Sequence, residues 1–80
     1  MSERLENIGL RADLRMQKTR LEAEVEALRD TLRRLLPKHE DVIELNGEKI
    51  LNTAIALNTS LEELKGIQRK IAILNRELGE

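Results

Sequence analysis

The residues that could carry catalytic or metal chemistry in this 80-residue chain are few. His39 is the only histidine and there is no cysteine, so a thiolate nucleophile or a site of several His and Cys ligands cannot be built. Carboxylates are abundant, as at Glu62 and Glu63, but the Glu-x-x-His spacing of metal-binding helix bundles is absent. The sequence therefore predicts no catalytic residue, no metal ligand and no cofactor, and a protein that is not an enzyme.

Basic side chains could instead contact the phosphates of a nucleic acid. A helix that displays them on one side would form a basic stripe, even in a chain without excess positive charge. The candidate contacts are Arg11, Arg15, Arg29, Arg33 and Arg34. The whole chain has 14 basic and 15 acidic residues and a net charge of −1, which argues against a general polyanion binder. Binding of a dimer to nucleic acid through these arginines of the first helix is the second function that we consider, beside the protein-contact function described below.

Two repeats of aliphatic residues indicate the elements that must position these side chains. Every seventh residue is leucine from Leu14 to Leu35, and every seventh residue is isoleucine or leucine from Ile43 to Leu78. Seven residues are close to two turns of an α-helix, so each repeat lines one side of a helix. Pro37 separates the repeats and disfavours helix at the residue before it. We predict helix 1 over about 3–36, a turn over 37–41 and helix 2 over about 42–78, as one domain over 1–80.

The start of the second helix has three interpretations. Asp41 and the glutamate three residues later have the spacing of a capping box, which would start the helix at once. Asn46-Gly47 is a strong hairpin-turn signal, but two isolated four-residue strands would be unstable. Asn46 could also be the N-cap of a helix that begins at Gly47, with a break up to residue 47. The seven-residue step from Ile43 to Ile50 favours a helix or a helical turn from about Asp41, with a kink or break near Gly47.

The two repeats match each other when the chain folds back on itself, which predicts an antiparallel hairpin. Leu21 would face Leu57, and the other members would pair likewise, with residue numbers that add to 78. Asn7 would then lie opposite Ile71, so we expect the hairpin to loosen at that end. The aliphatic residues predicted to form the hairpin core are Leu14, Leu21, Val25, Leu28, Leu32, Leu35, Ile43, Ile50, Leu57, Leu61, Leu64 and Ile71.

The apolar spacing of the second helix changes phase near Gly66. Steps of four and three residues alternate up to Leu64, and the next apolar residue, Ile67, is again three residues away. This pattern is typical of a stammer, a local overwinding of a coiled coil. Gly66 would let a neighbouring backbone approach closely there, or it is merely tolerated on the surface.

The second helix also carries more apolar surface than one partner helix can cover. Leu51, Ala54 and Ile55 are the candidate dimer interface. A chain this short, without Phe, Tyr or Trp, buries only a modest aliphatic core, and self-association would complete it. We expect an all-α, coiled-coil-like hairpin that forms a homodimer, as a four-helix bundle.

These features predict a protein that acts by contact. We expect a protein-interaction module, a small helical regulator, adaptor or inhibitor that binds a larger protein. No apolar run approaches the roughly 18 residues that span a bilayer, and the first residues lack the order of a signal peptide. The expected location is the cytoplasm, without membrane contact.

Overall fold

The computed structural model describes residues 3–79, and all regular structure within them is helical. Helix α1 spans Glu3–Leu35 and helix α2 spans Gly47–Glu77, with a short 3-10 turn at Val42–Glu44 between them. The helices pack along each other as a rod 62 Å long and 16 Å across. The predicted two-helix hairpin is confirmed for this part of the chain. A serine just before the first helix is a favoured N-cap, but Ser2 lies outside the described residues.

The second helix begins later than the seven-residue repeat predicted. The side chain of Asn46 accepts a hydrogen bond from the backbone N–H of Lys49 at 3.0 Å, which makes Asn46 the N-cap of a helix that starts at Gly47. A continuous α-helix from Asp41 is therefore wrong, and the interpretation with Asn46 as N-cap is confirmed. Asp41 instead caps the separate 3-10 turn, where its carboxylate accepts a hydrogen bond from the Ile43 N–H at 3.4 Å.

The connection between the helices is consequently long. Helix α1 ends at Leu35, two residues before Pro37, and residues 36–46 join it to α2. Ile43, which we expected in the hairpin core, lies in the 3-10 turn with 81% of its surface exposed. That expectation is wrong because Ile43 lies in a separate 3-10 turn that does not continue α2.

The register of the hairpin differs from the predicted one by about one seven-residue repeat. A guanidinium nitrogen of Arg4 donates to the carbonyl of Leu78 at 3.3 Å, and Arg11 donates to the side-chain oxygen of Asn75 at 3.1 Å. The residue numbers of these pairs add to 82 and 86, and both sums exceed the predicted 78. The contacts also establish that the helices are antiparallel, because the start of α1 meets the end of α2.

The core supports the same shift. Leu14 and Leu21 form a cluster with α2 residues near its C-terminal end, namely Leu64, Ile67, Ile71 and Leu74. Leu57, the predicted partner of Leu21, is half-buried and lies outside this cluster. Together with the two hydrogen bonds, this cluster indicates that facing residue numbers add to about 85, which brings Leu14 near Ile71 and Leu21 near Leu64. The predicted pairing of Leu21 with Leu57 is therefore wrong.

The correct register also explains the place of Asn7. This residue lies beside Leu78 and Glu77, not opposite Ile71. Helix α1 continues without a break from Glu3 through this region, so the mismatch that led us to expect a looser end does not exist.

Helix α2 contacts α1 through regular steps of three and four residues that include polar side chains. Ser60 is buried and Leu61 beside it is half-buried, so Ser60 is the more deeply placed of the two and belongs to the inward series. With Ser60 counted, the steps alternate without interruption, and the predicted stammer near Gly66 is wrong. The inward residues of α2, all buried or half-buried, are Ile50, Thr53, Leu57, Ser60, Leu64, Ile67, Ile71, Leu74 and Leu78.

Gly66 makes no close backbone contact, which leads to a stability prediction. A Cβ atom added there would meet only the guanidinium of Arg69, at 4.0 Å. We expect Gly66→Ala to raise the free energy of unfolding by about 1 kcal/mol, because alanine loses less backbone entropy in a helix. Urea unfolding followed by circular dichroism measures this change. Lower stability of the variant would show that the glycine is required where it stands.

Candidate interaction surface

The five arginines considered as nucleic-acid contacts do not form one basic stripe. Arg11 is buried and bonded to Asn75, so its predicted role as a phosphate contact is wrong. Arg29 forms an ion pair with Glu26 at 2.6 Å on the same helix. Arg34 donates a hydrogen bond to a threonine hydroxyl one turn earlier, at 3.3 Å. Three of the five side chains are thus engaged within the hairpin.

Arg15, Arg29 and Arg33 lie on the same side of α1, since 14 and 18 residues are close to whole numbers of turns, but acidic residues interrupt that side. Arg15 and Arg29 lie on one line along the helix, but Glu22 stands midway between them on that line. Arg33 and Arg34 are consecutive, so they are about 100° apart around the helix axis. A phosphate backbone would meet alternating charge on this helix.

Arg11 belongs to a row of basic residues on the inward side of α1, which the spacing of apolar residues alone does not identify. Arg4, Arg11 and Lys18 are seven residues apart, on the same line of α1 that Val25 and Leu32 continue. Arg4 and Arg11 reach polar atoms near the C-terminal end of α2. That end of a helix carries partial negative charge, which stabilises cations facing it. The seven-residue spacing of these cations is the signal by which sequence reasoning could have found them.

Exposed aliphatic side chains follow one side of the first half of α2. Leu51 and Ile55 are 60% and 55% exposed, and Ala54 and Leu61 beside them are half-buried. Spacings of three, four and seven residues place all four on one side of the helix, next to the face that contacts α1. We call this set the α2 stripe. It contains the three residues that we predicted as a dimer interface.

Residues of both helices line a groove in the described part of the chain. This groove of about 360 Å³ between the helices has only aliphatic and charged side chains on its walls, namely Leu10, Leu14, Lys70, Ile73, Leu74 and Glu77. Among residues 3–79, no three His, Cys, Asp or Glu side chains come together where they could hold a metal ion. Neither helix in that range combines the length and the apolar character needed to cross a membrane.

Comparisons with known proteins assign no family to this chain. No protein-family model matches it, and no curated protein or solved structure does. The placement of its charged and aliphatic side chains is therefore the observation that bears on function.

Proposed function

We propose that this chain is a cytoplasmic protein-interaction module, a small helical regulator, adaptor or inhibitor that acts by contact and not by catalysis. The α2 stripe is the observation that carries this proposal. Leu51 and Ile55 expose more than half of their surface on a regular helix. Covering such side chains is worth roughly 25 cal/mol for each Å² of apolar surface removed from water, so an exposed row of them favours association.

The geometry of the α2 stripe suits recognition of another protein surface. Amphipathic helices dock into apolar grooves through anchors at positions i, i+3 and i+4, and Leu51, Ala54 and Ile55 have this spacing. The side chains are aliphatic and carry no hydrogen-bonding group, so they fit an apolar protein surface and not a phosphate backbone. The buried Arg11 and the intervening Glu22 weaken the nucleic-acid alternative further.

Site-specific photo-crosslinking in the cells that make this protein tests the proposal. A photoreactive residue at position 55 should form covalent adducts with protein, because that position lies in the α2 stripe. The matched control is position 16, since Met16 is 72% exposed but belongs to α1. Equal adducts at both positions, or none at 55, would contradict the proposal. Adducts that nuclease treatment removes would instead indicate that the partner is a nucleic acid.

A further inference from the structure

We infer that the α2 stripe is covered by a second copy of this chain, with the two α2 helices packed antiparallel across a two-fold axis. This inference rests on the proposed function and names the partner of the same surface. It draws on three independent observations: the total exposed area, the uneven burial along the hairpin, and the charges at the two ends of the stripe.

The exposed area of the single hairpin is large for its mass. The chain of 9.2 kDa exposes 6221 Å². A compact monomer of that mass would expose about 4,900 Å², so the excess is about 1,300 Å². Each partner in a stable protein interface contributes about 800 Å². The surplus surface is therefore large enough to supply one side of a dimer interface.

Burial is concentrated in one half of the hairpin, and the α2 stripe lies in the other half. The buried apolar residues among residues 3–79 are Leu14, Leu21, Ile67, Leu74 and Leu78. Leu21 lies near the middle of α1, and the others lie toward the end where the start of α1 meets the end of α2. Toward the connection, inward residues such as Leu28, Leu35, Ile50 and Leu57 are only half-buried. A partner seated on the α2 stripe would cover the half of the core that the two helices leave incomplete.

The charges that border the α2 stripe are complementary under two-fold symmetry. Glu48 precedes the stripe on α2 and Lys65 follows it, at nearly equal distances from the centre near residue 56. Lys65 lies 3.6 Å from Glu62 on the same helix, but both side chains are largely exposed, so the ammonium can also face a second copy. In an antiparallel pair of α2 helices, each Glu48 would lie beside Lys65 of the second copy. A two-fold interface repeats every contact, so this arrangement forms two opposite-charge pairs at once. Asn58 and Glu62 also lie on this side of α2, so the aliphatic contact in such a pair is centred on Leu51, Ala54, Ile55 and Leu61, and the end charges favour the antiparallel arrangement.

Sedimentation equilibrium of the full chain over a micromolar range tests this inference. We expect twice the chain mass of 9.2 kDa for the native protein. Ile55→Glu should raise the dissociation constant by about 100-fold, because a carboxylate would enter an apolar interface. The control variant is Met16→Glu, which places the same charge on an exposed residue of α1 and should leave the dissociation constant unchanged. Circular dichroism checks that both variants stay helical.

A charge exchange tests the antiparallel arrangement without placing a charge in the apolar interface. Glu48→Lys and Lys65→Glu should each weaken the dimer by about 3-fold, as expected for surface pairs, and the double variant should recover native affinity. Residues 48 and 65 lie over four turns apart within one helix, so recovery can come only from contact between chains. A monomer throughout, or a dimer insensitive to Ile55→Glu, would overturn the inference. If such a monomer still crosslinks from position 55 to another protein, the proposed function stands with a different partner.

Discussion

Leu21→Asp is expected to leave the hairpin largely unfolded at 25 °C. Leu21 is 1% exposed, the lowest fraction in the core cluster, and a carboxylate in its place would lose its hydration among aliphatic side chains. Burial of such a group costs several kcal/mol. The core of a chain of this size contributes about 3–5 kcal/mol to the free energy of unfolding. The burial penalty is of the same size, so little net stability would remain.

Far-UV circular dichroism and urea unfolding measure this loss. The matched control is Met16→Asp, which introduces the same side chain on the same helix at a residue that is 72% exposed. That variant should change the free energy of unfolding by no more than about 0.5 kcal/mol. If the Leu21→Asp variant had the same melting temperature as the native protein, Leu21 could not lie in the interior of the protein in solution.

An engineered disulfide should discriminate between the two registers. The chain has no cysteine, so the double variant Leu14→Cys with Ile71→Cys contains a single pair of thiols. We expect this pair to oxidise readily, because residues 14 and 71 face each other in the observed register. The oxidised form should exceed the reduced form in free energy of unfolding by about 3 kcal/mol, since the bond closes a long loop.

The control for this experiment is Leu14→Cys with Leu64→Cys, the pair that faces in the predicted register. Residues 64 and 71 are seven residues apart on α2, or about 10 Å along the helix axis. A disulfide tolerates Cα separations only up to about 7 Å. The control variant should therefore form no disulfide between its two cysteines within one chain. Oxidation of the control in preference to the first pair would restore the predicted register.

The helices themselves were predictable from local features of the sequence. The repeats from Leu14 and from Ile50 occur in the two helices observed, and Pro37 explains why α1 ends at Leu35. The start of α2 was missed because Ile43 extends the repeat across a segment that is not α-helical. An aliphatic residue at the right spacing does not create a helix when Asn46 offers a better N-cap.

The candidate surface was predictable in part. The excess of apolar residues around Leu51 and Ile55 identified the α2 stripe, and both side chains are exposed in the structure. The role of Arg11 was missed because a charged residue was assigned to the surface by type. Ser60 was missed for the same reason, since only apolar residues were counted as inward. Both errors arise where a polar side chain occupies a position that spacing alone would have identified.

The amino-acid sequence by itself determined that the chain forms two amphipathic helices and that aliphatic residues line one side of each. It could not determine which repeat faces which, because sliding one helix by seven residues matches leucine with leucine again. The tertiary structure decided the register through the connection over residues 36–46, which delays α2 to Gly47 and leaves Ile50, not Ile43, to face Leu35. The hydrogen bond from Arg11 to Asn75 agrees with that choice at the opposite end. The apolar pattern recurs every seven residues and therefore fits several registers. The connection has one length and the polar pair occurs once, so these features select a single register.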